Sequence, residues 1–358
     1  MDTPWPGWSA SDVVDLAAVS AFARDTLAPL VAAPEIVLPS DELPRLLADR
    51  HDIWAGEDAS PASSTDALRE VAAVNGGVAF GLHRAALAER LLPRLGLTHD
   101  SSGGAPVALS LTGHWSLGRD ALARLLAGRD PNADDHELLA DWFDAARHDR
   151  VVVGQPWTSL LAVGFDGTGI TWTLTRRADC TVQVRPHAHG FDELETSTVR
   201  VSGRPAAVDT GSYVEALYLE MLGILAITAG LVDHAQALAR DYARGRQQGG
   251  AMIDTYPAVQ QMLAQISATA RAGAQHLSWF ATQQPGMAAL ADLCAIRAGF
   301  QPAACVAANN AIQVLGGRGY MQDFGPEKVT RDANTLRVLT GTPAELALFV
   351  AEWDRGAV

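Results

Sequence analysis

The chain has 358 residues, 48 % of them apolar and 19 % charged. That composition is globular, and the length can bury a large core but is too great for one compact unit, so two or three domains are expected. A formal net charge of −14 repels phosphate backbones and sets nucleic acid aside as a partner.

Lys is almost absent, and the basic residues are mostly Arg. The opening Met1-Asp2-Thr3-Pro4-Trp5-Pro6 has neither a basic nor an apolar stretch, so no leader is expected. No apolar run is expected to reach the roughly 20 residues of a membrane helix. A cytoplasmic protein is the expectation. Cys180, Cys294 and Cys305 are scattered and odd in number, which suggests no metal site and no disulfide framework.

The first third reads as helices joined by polar loops. Ser11-Asp12 would cap a helix through Val13, Leu16, Val19, Phe22 and Leu27, apolar at three- and four-residue spacing. A second helix is expected over Ser40 to Asp49. Gly56 to Thr65 reads as a loop by composition. A third helix follows from Asp66 and a fourth from Val78 to Leu95. Ser101-Ser102-Gly103-Gly104 then breaks the pattern.

The middle changes character. Val107 to Leu111, Val151 to Val153, Ser159 to Phe165, Ile170 to Leu174, Thr181 to Arg185 and Thr196 to Val201 are rich in β-branched and apolar residues and read as strands. Asp166-Gly167-Thr168-Gly169 is a hairpin turn. Asp120 to Arg147 reads as a helical insertion, broken at Asp130-Pro131-Asn132.

From Tyr213 the chain is expected to be helical. One segment runs Tyr213 to Arg246. A second starts near Asp254 as N-cap, with Pro257 in its first turn. A third runs Met287 to Leu315 and stops at Gly316-Gly317, and a fourth covers Pro343 to Trp353. Long helices with short connections favour a four-helix bundle. The expected division is a helical domain over 1–105, a β domain with a helical insertion over 106–208, and a bundle over 209–358. The fold class is mainly α with a small β domain.

Two strings carry more than periodicity. Gln313-Val314-Leu315-Gly316-Gly317-Arg318-Gly319-Tyr320 is followed by Pro326-Glu327-Lys328, Arg331-Asp332-Ala333 and Gly341-Thr342. Upstream stands Tyr242-Ala243-Arg244-Gly245-Arg246-Gln247-Gln248-Gly249-Gly250. Together they resemble the C-terminal helical domain of the acyl-CoA dehydrogenases, with a Gly where the family's Arg block has an aromatic. The resemblance implies that family's fold throughout, but it covers the first two domains only in outline.

Members of that family bind FAD across a subunit boundary. The resemblance implies that Arg246 reaches a neighbour's FAD pyrophosphate, which suits the bidentate Arg fork. It implies that Gln313, Gly316, Gly317 and Thr342 approach the same cofactor. Flavin contacts from the chain's own β domain are weaker. Thr112 and Gly118-x-Asp120 resemble remnants of one family loop, and Gln155-Pro156-Trp157-Thr158-Ser159 a compressed form of another. Trp157 would then cover the flavin ring and Thr158 bond its edge; the alternative is a loop and a buried Trp.

The family's chemistry removes an α-proton of an acyl thioester with a carboxylate, whose pKa a dry pocket raises. Where most members place that Glu, this chain has Thr340. Other members carry it on the long helix before the Arg block, and the matching position is Glu220. Glu220 stands among Leu217, Tyr218, Leu219, Met221, Leu222 and Ile224, so it is either solvent-facing or functional. Met221 stands where the family often has Arg near the thioester. CoA is anionic, so a CoA site would need a local basic cluster.

Three readings follow. In the first, the chain is an FAD-dependent dehydrogenase of a CoA- or carrier-bound acyl thioester, with Glu220 as base. In the second, it is a non-catalytic partner subunit that lends Arg246 and the Gly-Gly turn to a flavin held mainly by another chain. In the third, it has lost FAD and redox chemistry. All three expect a homo- or hetero-oligomer with chains of this fold.

Overall fold

A computed structural model describes residues 14–31, 53–54, 61–99, 106–111, 120–129, 132–154, 156–186, 189–202 and 206–356. The expected cap at Ser11-Asp12, the helix over Ser40 to Asp49, the break at 101–104 and the loop remnant 112–119 lie outside these residues.

Helix α1 spans residues 16–31, with a π turn at Phe22–Leu27. α2 (Pro61–Ala72) and α3 (Gly76–Arg94) follow. Strand β1 (Val107–Ser110), helices α4 (Asp120–Leu126) and α5 (Ala133–Trp142), and strands β2 (Arg147–Val153), β3 (Ser159–Phe165), β4 (Ile170–Arg176), β5 (Cys180–Val184), β6 (Glu195–Val201) and β7 (Ala207–Val208) form the middle. The remainder is α6 (Thr210–Gly245), a small ribbon β8–β9 (Gln247–Gln248 and Ala251–Met252), α7 (Pro257–Phe280), α8 (Met287–Leu315), α9 (Pro326–Val338) and α10 (Pro343–Asp354).

The centre of the molecule is α6. Asp209 caps it by accepting from Ser212 N at 2.9 Å. From Ser212 to Val232 nearly every side chain is buried, because α2, α3, α7 and α8 all pack against it. By length and composition α6 could cross a membrane (mean hydropathy 1.6), but that window is wholly buried inside the protein. This corrects the expectation that no stretch reaches such a length; a helix apolar all round is what a central bundle position requires.

Two glycines of α6 let other elements come close. A methyl group at Gly230 would lie 2.4 Å from the Arg69 carbonyl oxygen of α2, and one at Gly223 would lie 2.2 Å from the His83 ring of α3. α3 and α6 also share buried charge. Glu215 accepts from Arg90 Nη2 at 2.8 Å and Arg94 Nη1 at 3.1 Å.

Strands β1 to β7 form two sheets. One has the order β1-β3-β4-β7, with β1 parallel to β3 and the rest antiparallel; the other has the order β2-β6-β5 and is antiparallel. Ala108, Val151, Trp157, Leu160 and Val199 meet in a small separate core. The β3–β4 turn forms at Asp166, whose Oδ1 accepts from Thr168 N, Thr168 Oγ1 and Gly169 N.

Several expected elements need correction. Pro61 to Thr65 is helix rather than loop, since Pro is tolerated in a first turn and burial of Ser63, Ser64 and Thr65 overrides their composition. The second helix of the insertion ends at Trp142 rather than running on to Arg147, and residues 147 onward already belong to β2. Asp254 caps nothing: it sits in a 3-10 turn, and α7 starts at Pro257 without a side-chain cap. Helix α9 was not expected at all.

Candidate functional site

Glu220 is fully buried on α6. Its sequence neighbours are apolar, but its spatial neighbours are not. Oε2 lies 3.0 Å from His83 Nε2, and Oε1 lies 2.9 Å from Arg84 Nη2. The Thr340 hydroxyl donates to Oε1 at 3.3 Å. An indole N–H can only donate, and Trp54 Nε1 donates to His83 Nδ1 at 2.9 Å. His83 Nδ1 is therefore an acceptor, which leaves Nε2 as the nitrogen that donates to Glu220. Arg84 also donates from Nη1 to the Leu109 carbonyl of β1 at 2.9 Å.

Arg297 of α8 is also fully buried, and its charge reaches Glu220. Its fork donates to two successive carbonyls, Leu339 O at 3.0 Å and Thr340 O at 3.1 Å. That grip holds Thr340 at φ 52°, a left-handed conformation unfavourable for a β-branched residue.

Burial alone pushes the Glu220 carboxyl upward. The Arg84 charge, the His83 hydrogen bond and the Arg297 charge outweigh it and hold the group at about 2. Burial in turn pulls Arg297 down to about 10. The expected environment for a proton-abstracting carboxylate was apolar with an elevated pKa. The structure instead surrounds Glu220 with cations and donors and fixes it as an anion.

A second assembly lies where α6 and α8 end. Arg246, Gln313, Gly316 and Gly317 line one cavity of about 780 Å3, together with Tyr242, Tyr256 and Met321. Arg246 is exposed and stands at the end of α6 in extended conformation. Gly316 stops α8 at φ 63°, and a methyl group at Gly316 or Gly317 would meet open space. Gly319 folds the turn back, since a methyl group there would lie 2.5 Å from the Ile312 carbonyl oxygen. At Gly249 (φ 62°) a methyl group would lie 2.7 Å from the Tyr256 hydroxyl, which donates to Gln248 O at 2.6 Å.

The other residues singled out lie elsewhere. Trp157 is buried, its Nε1 donates to Glu195 Oε1 at 3.2 Å, and Arg177 stacks over its ring at 4.3 Å. The Thr158 hydroxyl is 3.4 Å from His99 Nε2. Thr342 caps α10 in a reciprocal pair with Glu345. None of the three lines the Arg246 cavity. His83, Arg84 and Arg297 were not found by sequence reasoning; the available signal was basic residues inside otherwise apolar helical stretches.

Residues 211–353 match the model of the acyl-CoA dehydrogenase C-terminal domain. Residues 211–353 carry the C-terminal domain of the acyl-CoA dehydrogenases. A probable acyl-CoA dehydrogenase of Bacillus subtilis is 29 % identical over 246 residues, 62 % of this chain and 61 % of that protein. A 3-sulfinopropanoyl-CoA desulfinase of Paraburkholderia xenovorans is 30 % identical over 167 residues, 45 % of this chain and 42 % of that protein. The chain thus spans about half the length of the curated relatives it matches. Among solved structures, butyryl-CoA dehydrogenase from Megasphaera elsdenii superposes with TM-score 0.74 at 16 % identity, covering 97 % of this chain and all of that one. Glutaryl-CoA dehydrogenase from Mycobacterium smegmatis gives 0.77 at 15 %, covering 94 % and 92 %. The fold is that of the acyl-CoA dehydrogenases, mainly α with a small β domain.

Proposed function

We propose that this chain is a subunit of an acyl-CoA dehydrogenase-type flavoprotein, one that completes an FAD site on a neighbouring chain and does not abstract the substrate proton itself. The carrying observation is the state of Glu220. A general base must accept a proton near neutral pH, and this carboxylate is fully buried, bonded by His83, Arg84 and Thr340, and held at about 2.

The residues present fit one half of an FAD site. Arg246 offers an exposed fork for a pyrophosphate, and Gln313 with the bare Gly316-Gly317 backbone allows close approach on the same open cavity. The chain's own β-domain half fits poorly, because Arg177 covers Trp157 and His99 engages Thr158. FAD, when bound, supplies the hydride acceptor. This chain's residues would grip its pyrophosphate and close the subunit boundary. The substrate of the assembly would be an acyl thioester of CoA or of a carrier protein, and the assembly a homo- or hetero-oligomer of chains of this fold.

One observation favours the alternative of a self-sufficient dehydrogenase with Glu220 as base. Glu220 touches Thr340, the position where most family members carry their own base. Purifying the chain alone and with a co-expressed chain of the same family separates the two. A colourless chain alone, and one FAD per pair in the complex, supports the proposal. A chain that is yellow alone and bleached by an acyl thioester overturns it. A colourless complex would mean that FAD has been lost altogether.

A further inference from the structure

A cavity of about 350 Å3 lies between α1, α6 and α9 and shares no lining residue with the Arg246 cavity. Its volume is in the range of small-molecule sites. Much of its wall is hydrocarbon, from Val31, Leu231, Leu238, Phe324 and Val329. One end is polar and built around Lys328, the chain's single lysine. Its ammonium lies 2.7 Å from Asp332 Oδ2 and 3.2 Å from Glu193. Those two acids are themselves fixed: Asn75 Nδ2 donates to Glu193 Oε1 at 2.7 Å, and Phe191 N to Asp332 Oδ1 at 2.8 Å.

The Lys328 ammonium is already engaged by both acids, so that end offers an incoming anion no unengaged cation. His234 on α6 also lines the cavity. Its ring nitrogens have no hydrogen-bond partner among the described residues. Burial first, and the Lys328 charge second, lower its pKa to about 4. The ring is therefore neutral at pH 7 and offers one N–H and one lone pair.

We propose that this cavity is a binding site for a neutral, largely hydrocarbon molecule bearing one hydroxyl or carbonyl group, which docks on His234 beside the Lys328–Glu193–Asp332 cluster. The site is independent of the FAD-completing role, and its failure would leave that role untouched. A fatty anion of the same length should be rejected. The hydrocarbon body takes the apolar wall, and the single polar group satisfies the imidazole.

Because Lys328 is the only lysine, labelling the full chain with 13Cε-lysine places one reporter signal at the site. The probes are normal alcohols from hexanol to decanol, with octanoate as the anionic control. The expected result is a saturable shift of the Lys328 signal, a rise in Tm that peaks at one chain length, and no response to octanoate. His234→Leu should weaken the best alcohol about tenfold, the worth of one hydrogen bond to a buried partner. Ala73→Phe, which fills the cavity and leaves His234 in place, should abolish the shift. A response that climbs with alcohol hydrophobicity without saturating, or that is unchanged in His234→Leu, overturns the proposal. So does octanoate binding as tightly as octanol, or no response to any alcohol, which would mean a cavity that holds water only.

Discussion

His83 sits 3.0 Å from Glu220, on the face of α6 that Gly223 leaves bare. α6 presents no side chain of its own at Gly223, and the His83 imidazole of α3 fills that space. Trp54 holds the ring from behind through Nδ1, so moving aside would break that hydrogen bond.

Gly223→Ala tests that fit. In an exposed helix this change stabilises by about 1 kcal/mol. Here the added methyl group would lie 2.2 Å from a pinned ring, and overpacking of that kind costs about 1–3 kcal/mol. The net effect should be destabilising, read as a lower denaturation midpoint with an unchanged m-value. A more stable variant would show that the ring is not pinned.

Glu220→Gln removes the anion but keeps the shape. Arg84 and Arg297 then remain buried without their counter-charge, a loss of about 3–5 kcal/mol when one partner of a buried pair is removed. The expected outcome is a sharp drop in unfolding free energy. If stability holds while substrate-driven flavin reduction falls by about 10²–10⁴-fold, Glu220 is a base after all and the self-sufficient reading stands.

Acid should weaken the fold through the same group. Glu220 is held at about 2 against an ordinary 4.5, so its folded-state pKa is depressed. Its contribution is fully present above about 4.5 and is lost as pH falls toward 2. The shift corresponds to something on the order of 3 kcal/mol. Unfolding free energy measured from pH 6 downward should decline below pH 4.5, and the decline should be shallower in Glu220→Gln. Parallel acid limbs in the two proteins would assign the loss to other carboxylates.

What the sequence made legible was local. β3 and α8 fall on the residues their patterns indicate, because β-branched runs and three-to-four spacing are properties of neighbours in the chain. The Arg246 cavity was legible for a related reason: two contiguous strings specify it, and both end helices at one place. α9 was missed because half of its buried set gives no apolar period: Pro326, Lys328 and Asp332 are buried beside Val329, Ala333 and Leu336. The surroundings of Glu220 were not legible. Its partners His83 and Arg84 come from another helix, His83 being 137 residues away in sequence, and no local period encodes such a pairing. Trp157 shows the same limit: a Trp-Thr pair reads alike whether its face is open or, as here, covered by Arg177.

Arg246→Ala tests the FAD-completing role. The guanidinium is exposed at the end of α6, and it has no hydrogen bond or ion pair among the described residues. Removing it should therefore cost the isolated subunit almost nothing, with a Tm within a degree or two of the parent, since surface changes away from structural features are small. A charge-assisted contact to a pyrophosphate is worth about 1.5–3 kcal/mol, so the assembled flavoprotein should release FAD roughly ten- to hundredfold more readily. The measurement is flavin absorbance per protein after gel filtration of the complex at micromolar concentration. Arg246→Lys should recover only part of the loss, because an ammonium keeps the charge but not the two-pronged fork. Full FAD retention in both variants would remove Arg246 from the cofactor site and leave the cavity at the end of α6 and α8 without its assigned role.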